Sequence, residues 1–220
     1  MKSMNFKAKI IVSIFSLFLM ISSLKAQNTK SLLSEVSNKV KSYENIQIDF
    51  KYSLENTREN VKQDTRANIT LKGDNYVLNM LGVTRIFDGK TIYTIVPEDE
   101  EVTISDYSKE EDKSISVSEM LTFYEKGYNY KMDIQQNIRG RKIQFIKLNP
   151  IDSNTEIKNI LLGIDMQTKH IYKLIQIDSS GTSYTITVNS FKTNQPISQN
   201  LFIFDEEKYT NQGYYINKLE

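Results

Sequence analysis

Cysteine is absent from the 220 residues, tryptophan is also missing, and there is a single histidine. Without cysteine the chain can form no disulfide, no thiolate metal site and no cysteine nucleophile. It also lacks the lipid-modified cysteine that could tether an exported protein to a membrane. One histidine cannot build a metal cluster with others of its kind. Thiol chemistry and a histidine-rich metal centre are therefore excluded.

Signatures of hydrolysis and phosphate binding are equally scarce. A Ser-His-Asp site would have to use His170, and no Gly-x-Ser-x-Gly elbow is present to expose the serine. We interpret His170 as a surface turn histidine beside Lys169. The glycines are spread over separate turns, at Gly73, Gly82 and Gly89 for example, and form no phosphate-cradling loop.

Carboxylate pairs occur at positions 100–101 and 110–111, both in polar stretches where nothing would raise a carboxyl pKa. A hydrolase whose two carboxylates meet only in space stays open as an alternative. Our prediction is a protein without catalytic residues, without a metal site and without a cofactor.

Positive charge is concentrated at the beginning of the chain. Residues 1–26 contain four of the 28 bases and none of the 27 acids, so the remainder has 24 bases and a net charge near −3. A nucleic-acid surface needs a clustered basic face, and none is evident. We therefore expect no nucleic-acid partner.

The same first 26 residues have the layout of a secretory signal peptide. A basic stretch up to Lys9 precedes about a dozen mostly apolar residues, Ile10 to Ile21, and a small residue, Ala26, ends the segment. An uncleaved anchor is the alternative, but a membrane span needs about 20 apolar residues. We expect cleavage near Ala26 and one exported, unanchored domain over residues 27–220, in the periplasm or outside the cell.

The mature chain is dominated by strands. Apolar residues alternate with polar ones from Ile46 to Leu54, which is typical of a strand with one buried and one solvated face. About eleven such segments follow one another, and most are joined by short turns, such as Asp88-Gly89. The polar stretch Asn56 to Asp64 is predicted to be a hairpin connection or a mobile loop, and Leu201 to Phe204 completes the strand-like segments. So many strands must close, or nearly close, to protect their edges.

Two helices complete the prediction. Leu32, Leu33, Val36, Val40 and Tyr43 form an apolar stripe over Thr29 to Tyr43, and we expect this helix to pack on the sheet and cover an edge. A capping-box spacing at residues 116–119 opens a short second helix that Gly127 would end. This helix carries four bulky residues that are either ordinary core or a lid over a cavity: Met120, Leu121, Phe123 and Tyr124.

Several segments, taken in order, resemble the LolA family of lipoprotein carriers. The matching segments are Val40–Phe50, Ala67–Lys72, Phe87–Pro97, Glu101–Ile104, Ser183–Ile186 and Phe202–Phe204. The resemblance implies a mainly β (α+β) fold, an unclosed antiparallel β-barrel of about 11 strands with a few helices covering its opening. It also implies a hydrophobic cavity that carries the acyl chains of lipoproteins across the periplasm.

By the same resemblance, the partners would be acylated lipoproteins or lipid, an inner-membrane releasing transporter and an outer-membrane acceptor. We expect the protein itself to be a monomer. The chain departs from the family at Lys72-Gly73-Asp74, where members often have Lys-Arg-Pro with an arginine tied to opening and closing. It departs again at Tyr209-Thr210, where a Tyr-Pro is frequent.

The cavity lining that we predict is the alternating apolar set of the first strands. Its members are Phe50, Tyr52, Ile69, Leu71, Leu78, Met80 and Ile95. For each residue alone, a place in a solid core is an equal alternative. A binding or sensing module on the same fold, which recognises lipid or envelope proteins without shuttling them, is the alternative function.

Overall fold

The computed structural model describes residues 28–107 and 121–219. The predicted signal peptide and the beginning of the predicted second helix therefore lie outside the described residues. The strands are β1 Ile46–Asn56, β2 Val61–Lys72, β3 Asn75–Met80, β4 Val83–Phe87, β5 Thr91–Val96, β6 Glu101–Asp106, β7 Tyr128–Ile138, β8 Arg141–Pro150, β9 Ile157–Asp165, β10 Ile171–Asp178, β11 Ser183–Thr193 and β12 Tyr215–Lys218. The helices are α1 (residues 28–41), a 3₁₀ helix Phe123–Glu125 and α2 Glu206–Asn211.

All twelve strands form one sheet, in the order β12-β6-β5-β4-β3-β2-β1-β11-β10-β9-β8-β7. Neighbours are antiparallel except at one edge, where β12 runs parallel to β6. No ladder joins β7 to β12 in the described ranges, so the sheet curls without closing. The predicted unclosed, mainly antiparallel β architecture is confirmed, with β12 as an additional strand.

One of the two alternatives predicted for the polar stretch Asn56 to Asp64, a hairpin connection, is confirmed. Strand β1 continues to Asn56, β2 begins at Val61, and a tight turn joins the paired strands. The strand assignment at Leu201 to Phe204 is wrong. The apolar segment Leu201 to Phe204 is a turn in which Phe202 is buried. Packing of Phe202, Leu201 and Phe204 against the sheet, rather than strand pairing, explains why these three residues are apolar, whereas Ile203 is exposed.

Helix α1 forms where its apolar stripe predicts. Leu32, Leu33, Val36 and Val40 are buried, and Tyr43 follows the helix as a partly buried residue. The helix packs on the sheet as we expected. Its first half packs on β8, β9 and β10 and its last turn packs on β1 to β5, which defines the inner face of the sheet.

The outer face of β3 to β6 is covered by the end of the chain. Val77, Ile86, Ile95 and Val102 pack there with Phe202, and the surrounding residues come from Ile197 to Ile216. Beyond the turn, α2 begins at its cap Asp205, whose carboxylate accepts the Lys208 backbone N–H. The segment after Tyr209 therefore docks on the sheet and ends as β12.

None of the helices in the described ranges has the length and apolar character that a membrane crossing requires.

Candidate functional site: an apolar cavity

An apolar cavity of about 260 Å³ lies on the inner face of the sheet. Its walls come from β1, β2 and β3 on one side, from β10 and β11 on the other, and from Leu121. All thirteen lining residues are apolar or aromatic: Ile48, Phe50, Tyr52, Ile69, Leu71, Leu78, Met80, Leu121, Ile171, Leu174, Ile186, Val188 and Phe191. No helix α1 residue is among them. The cavity thus lies where the curled sheet extends past the helix that fills the rest of its inner face.

The structure brings six of the seven predicted lining residues together around this cavity: Phe50, Tyr52, Ile69, Leu71, Leu78 and Met80. The register explains why they share one face. Ile48 lies opposite Ile69, and Ile69 lies opposite Leu78, so alternate residues of β1, β2 and β3 point the same way. Binding of lipid by these residues remains a prediction.

Ile95 is placed elsewhere, on the outer face of β5. It packs with Val77 and Ile86 beneath the end of the chain, whereas Ile92 of the same strand packs on the inner face. The two residues are three apart, and the side chains of a strand alternate with a period of two. Because both faces of β5 are buried, the apolar pattern alone does not identify the inward residues.

The second wall of the cavity was not predicted, and two β-bulges account for part of this. In β11 the register with β1 shifts between Ser190 and Val188, so Asn189 is an extra residue. Phe191 and Val188 consequently both face the cavity although they are three residues apart. A bulge of this kind redirects a side chain.

A similar shift occurs in β10, where Ile171 pairs with Ile164 but Lys173 pairs with Gly163. The extra residue, Tyr172, allows Ile171 and Leu174 both to line the cavity. Strict alternation would have placed one of them outside. A prediction based on strict alternation therefore misses some of the residues that line this wall.

The predicted lid residues separate into two places. Leu121 lines the cavity, while Tyr124 is fully buried in the cluster between α1 and β8 to β10, with Phe123 partly buried against it. Met120 lies outside the described residues. Burial raises the pKa of the Tyr124 hydroxyl, which has no hydrogen-bond partner among the described groups.

A polar latch ties this segment to α1. The Lys41 ammonium lies 2.8 and 3.1 Å from the two carboxylate oxygens of Glu125, and the Ser37 hydroxyl donates to the same carboxylate. These two contacts hold the pKa of Glu125 below its usual value. The segment at 121–125 and the helix are therefore linked by charge as well as by apolar packing.

His170, which we expected to be a surface turn histidine, follows a turn but is partly buried. Its ring stacks on Phe191 with centroids 4.0 Å apart, and its Nε2 is joined to the Tyr43 hydroxyl by a hydrogen bond of 2.8 Å. Burial, together with the charge of Lys39, lowers the pKa of His170. The His170 ring therefore packs behind Phe191, which lines the cavity.

The described part of the chain holds no group of three His, Asp or Glu side chains that could bind a metal ion.

The cavity can hold part of an acyl chain. A cavity of about 150 Å³ with similar walls binds benzene, which has six carbons, so about 260 Å³ corresponds to roughly ten carbons. A longer chain would require the walls to move apart. Leu121, which lies outside the sheet ladders, is the wall that can move without breaking strand pairs.

A curled sheet with an apolar cavity is an architecture in which some proteins enclose a hydrophobic ligand. The family model described as outer membrane lipoprotein carrier protein LolA matches residues 82–205, more than half of the chain. The chain belongs to this family.

Solved structures resemble the chain at low sequence identity. An uncharacterized conserved protein from Thermus thermophilus shares the fold with a TM-score of 0.57 and 8% identity, over 85% of this chain and 97% of that chain. LprF from Mycobacterium bovis gives a TM-score of 0.48 and 12% identity, over 79% and 96%. The LolA superfamily protein NE2245 from Nitrosomonas europaea gives 0.43 and 13%, over 82% and 98%. No curated protein matches the sequence.

Proposed function

We propose that this protein is a periplasmic carrier that shields the acyl chains of lipoproteins in its cavity and moves them toward the outer membrane. The observation that carries the proposal is the cavity with thirteen apolar lining residues in a member of the LolA family. In this proposal, residues 1–26 are removed on export and residues 27–220 act as one monomeric domain. The protein performs no chemistry on its cargo.

The energetics explain why a carrier is needed. Removing an acyl chain from water is worth about 0.8 kcal/mol per methylene, so a chain of about 16 carbons gains roughly 12 kcal/mol. An unshielded chain therefore does not cross the periplasm. The donor would be an inner-membrane releasing transporter and the recipient an outer-membrane acceptor, as in the family that the chain resembles.

Release requires that the empty carrier be stable by itself. In the structure the 121–125 segment packs against α1 and the sheet, with Tyr124 fully buried. A chain longer than the cavity has to displace Leu121 and strain these contacts. The cost of this displacement offsets part of the gain from burying the chain, so the bound state stays reversible.

Neighbouring residues of one strand offer a matched test of binding. Leu174 lines the cavity, whereas Ile175 points to the other face, and both are partly buried. We expect Leu174→Glu to weaken binding of a fluorescent fatty acid at least about tenfold, because a charge in an apolar wall is poorly solvated. Ile175→Glu should bind as the wild type does.

The fluorescence titration needs a control for folding. Urea denaturation of both variants would show whether each is folded under the binding conditions. Equal affinities of two folded variants would contradict the assignment of this cavity as the lipid site. If the wild type binds no fatty acid at all, the carrier proposal fails.

A transfer assay separates carrying from binding alone. Donor vesicles would hold a labelled acylated lipoprotein, unlabelled acceptor vesicles would be added, and the rate of label transfer would be measured against protein concentration. We expect the rate to rise with the wild type and not with Leu174→Glu. Binding without faster transfer would favour the alternative, a module that recognises lipid or envelope proteins without shuttling them.

A further inference from the structure

Strands β10 and β11 part at one end of the cavity. Their ladder covers Lys173 to Ile177 of β10 and Ser183 to Thr187 of β11. Beyond it, β11 pairs only with β1, from Val188 to Thr193, and Ile171 pairs with β9. The two bulges lie at this point, and bulges increase the local twist of their strands. The curled sheet therefore has a gap in its wall.

The gap is a cleft of about 370 Å³ beside the apolar cavity. Ile171, Val188 and Phe191 line both the cleft and the cavity. These three side chains therefore border both spaces, and the His170 ring, which lines the cleft, is stacked on Phe191. A passage between the cleft and the cavity would require the Phe191 and His170 side chains to move, and with them the hydrogen bond from His170 to Tyr43.

The cleft, unlike the cavity, is polar and contains an available positive charge. The Arg141 guanidinium lies over the Tyr172 ring, 5.8 Å from its centroid. Among the described residues, no carboxylate is within ion-pair distance of Arg141. The neighbouring carboxylate, Asp165, accepts the backbone N–H groups of Gln167 and Thr168, which partly offsets its negative charge.

The opposite end of the cavity is less suited to binding an anion. At that end, the inward-facing residues of β1, β2 and β11 are uncharged. Leu54 of β1 lies opposite Gln63 in β2 and opposite Tyr184 in β11. Arg85 lies opposite Leu78 on the inner side of β4, but it already has an interaction of its own. Arg141, which lines the cleft and has no ion-pair partner among the described residues, is therefore the charge that we expect to meet an anionic ligand.

We propose that this cleft is a side portal that holds the anionic head of a single-chain amphiphile while its alkyl tail lies in the cavity. The proposal rests on the proposed function, because it requires that the cavity bind an alkyl chain. The shared chemistry of the head is a carboxylate or a phosphate group, either of which a guanidinium binds well. The portal lets one chain enter from the side without opening the 121–125 segment.

Calorimetric titration with four dodecyl compounds, each below its micelle concentration, tests the head group. Laurate and dodecyl phosphate should bind about fivefold more tightly than dodecyl maltoside or dodecyltrimethylammonium, the gain expected from one partly exposed ion pair. The tighter of the two anions identifies the head that the site prefers. Arg141→Gln should remove the preference. The control Arg139→Gln, an equal charge change at the exposed β7–β8 turn, should leave it intact.

A spin-labelled fatty acid with the nitroxide next to its carboxylate locates the head directly. We expect it to broaden the amide signals of Asn189 and Ser190 at the cleft, not those of Met80 and Leu81 at the other end. Broadening at Met80 and Leu81, loss of head preference in Arg85→Gln instead of Arg141→Gln, or equal binding of all four compounds would overturn the portal while leaving the carrier intact. If none of the four binds, the proposed function itself fails.

Discussion

Two regions of the inner face are built from the same kinds of residue but differ in burial. Over β8 to β10, the side chains of Ile146, Leu148 and Leu162 are fully buried, whereas the cavity residues Leu78 and Leu174 are only partly buried. Leu32, Leu33 and Val36 of α1 pack over the first region, whereas no α1 residue lines the cavity in the second. The comparison teaches that a solid core and a ligand cavity can share one apolar pattern and differ only in what lies on top of it.

The largest expected difference between the two regions is in the free energy of unfolding that is lost when a leucine is truncated to alanine. Leu148→Ala should lower the free energy of unfolding by about 3 kcal/mol, because a filled site collapses poorly around a new void. Leu78→Ala should cost about 1 kcal/mol, since its side chain already borders empty space. Urea denaturation measures both values, and similar losses would mean that the cavity wall is as tightly packed as the core.

Gly163 offers a test of how tightly the outer face of β8 and β9 is packed. A Cβ at Gly163 would lie 2.9 Å from Cε1 of Phe145 and 3.2 Å from Cγ2 of Ile143, and both of these side chains are buried. Gly163→Ala should therefore cost about 1 to 2 kcal/mol by overpacking, despite the smaller entropy of the unfolded chain.

Leucine is shorter than phenylalanine, so Gly163→Ala should cost less unfolding free energy in a Phe145→Leu background. A double-mutant cycle on thermal or urea unfolding would measure this coupling. Additive losses would show that the Phe145 ring is not what the new methyl group meets.

The smallest effect concerns the latch between α1 and the 121–125 segment. Glu125 has a lowered pKa in the folded protein, so its contacts stabilise the fold above the unfolded pKa near 4.5 and stop doing so as pH falls through the lower folded pKa. Glu125→Gln should cost about 0.5 kcal/mol at pH 7, because Glu125 and Lys41 are exposed to solvent.

The difference between wild type and Glu125→Gln should disappear once the pH falls below the lowered pKa of folded Glu125, where the carboxyl group is protonated in both the folded and the unfolded state. It should also shrink in high salt, which screens exposed ion pairs. Unfolding curves across this pH range test both expectations. A difference that persists at low pH would mean that the glutamine disturbs packing instead of charge.

Much of the first cavity wall could be predicted from the sequence, because β1 and β2 each have one solvent-exposed face. Their polar residues mark the outer side, so Phe50, Tyr52, Ile69 and Leu71 follow by alternation. This signal fails in β5, which is buried on both faces, and Ile95 was assigned to the wrong side for that reason.

The second wall and the end of the chain needed information that a local pattern does not contain. The bulges at Tyr172 and Asn189 interrupt the period of two, and nothing in their residue types indicates them. The environment of His170 depends on Tyr43, which is distant in sequence. Strand β12 has four residues and joins the sheet through the parallel edge of β6, so it shows no alternation long enough to recognise.

The pairing of β1 with β11 has a consequence for how the protein reaches its folded state. Ile46 lies opposite Thr193, and Tyr52 lies opposite Ile186, so the two walls of the cavity meet only after most of the polypeptide has emerged. Contacts of such long sequence separation close large loops and form slowly. A chain exported from its N-terminus would hold β1 as an exposed, unpaired edge until β11 arrives, and this interval is when it most needs protection from aggregation.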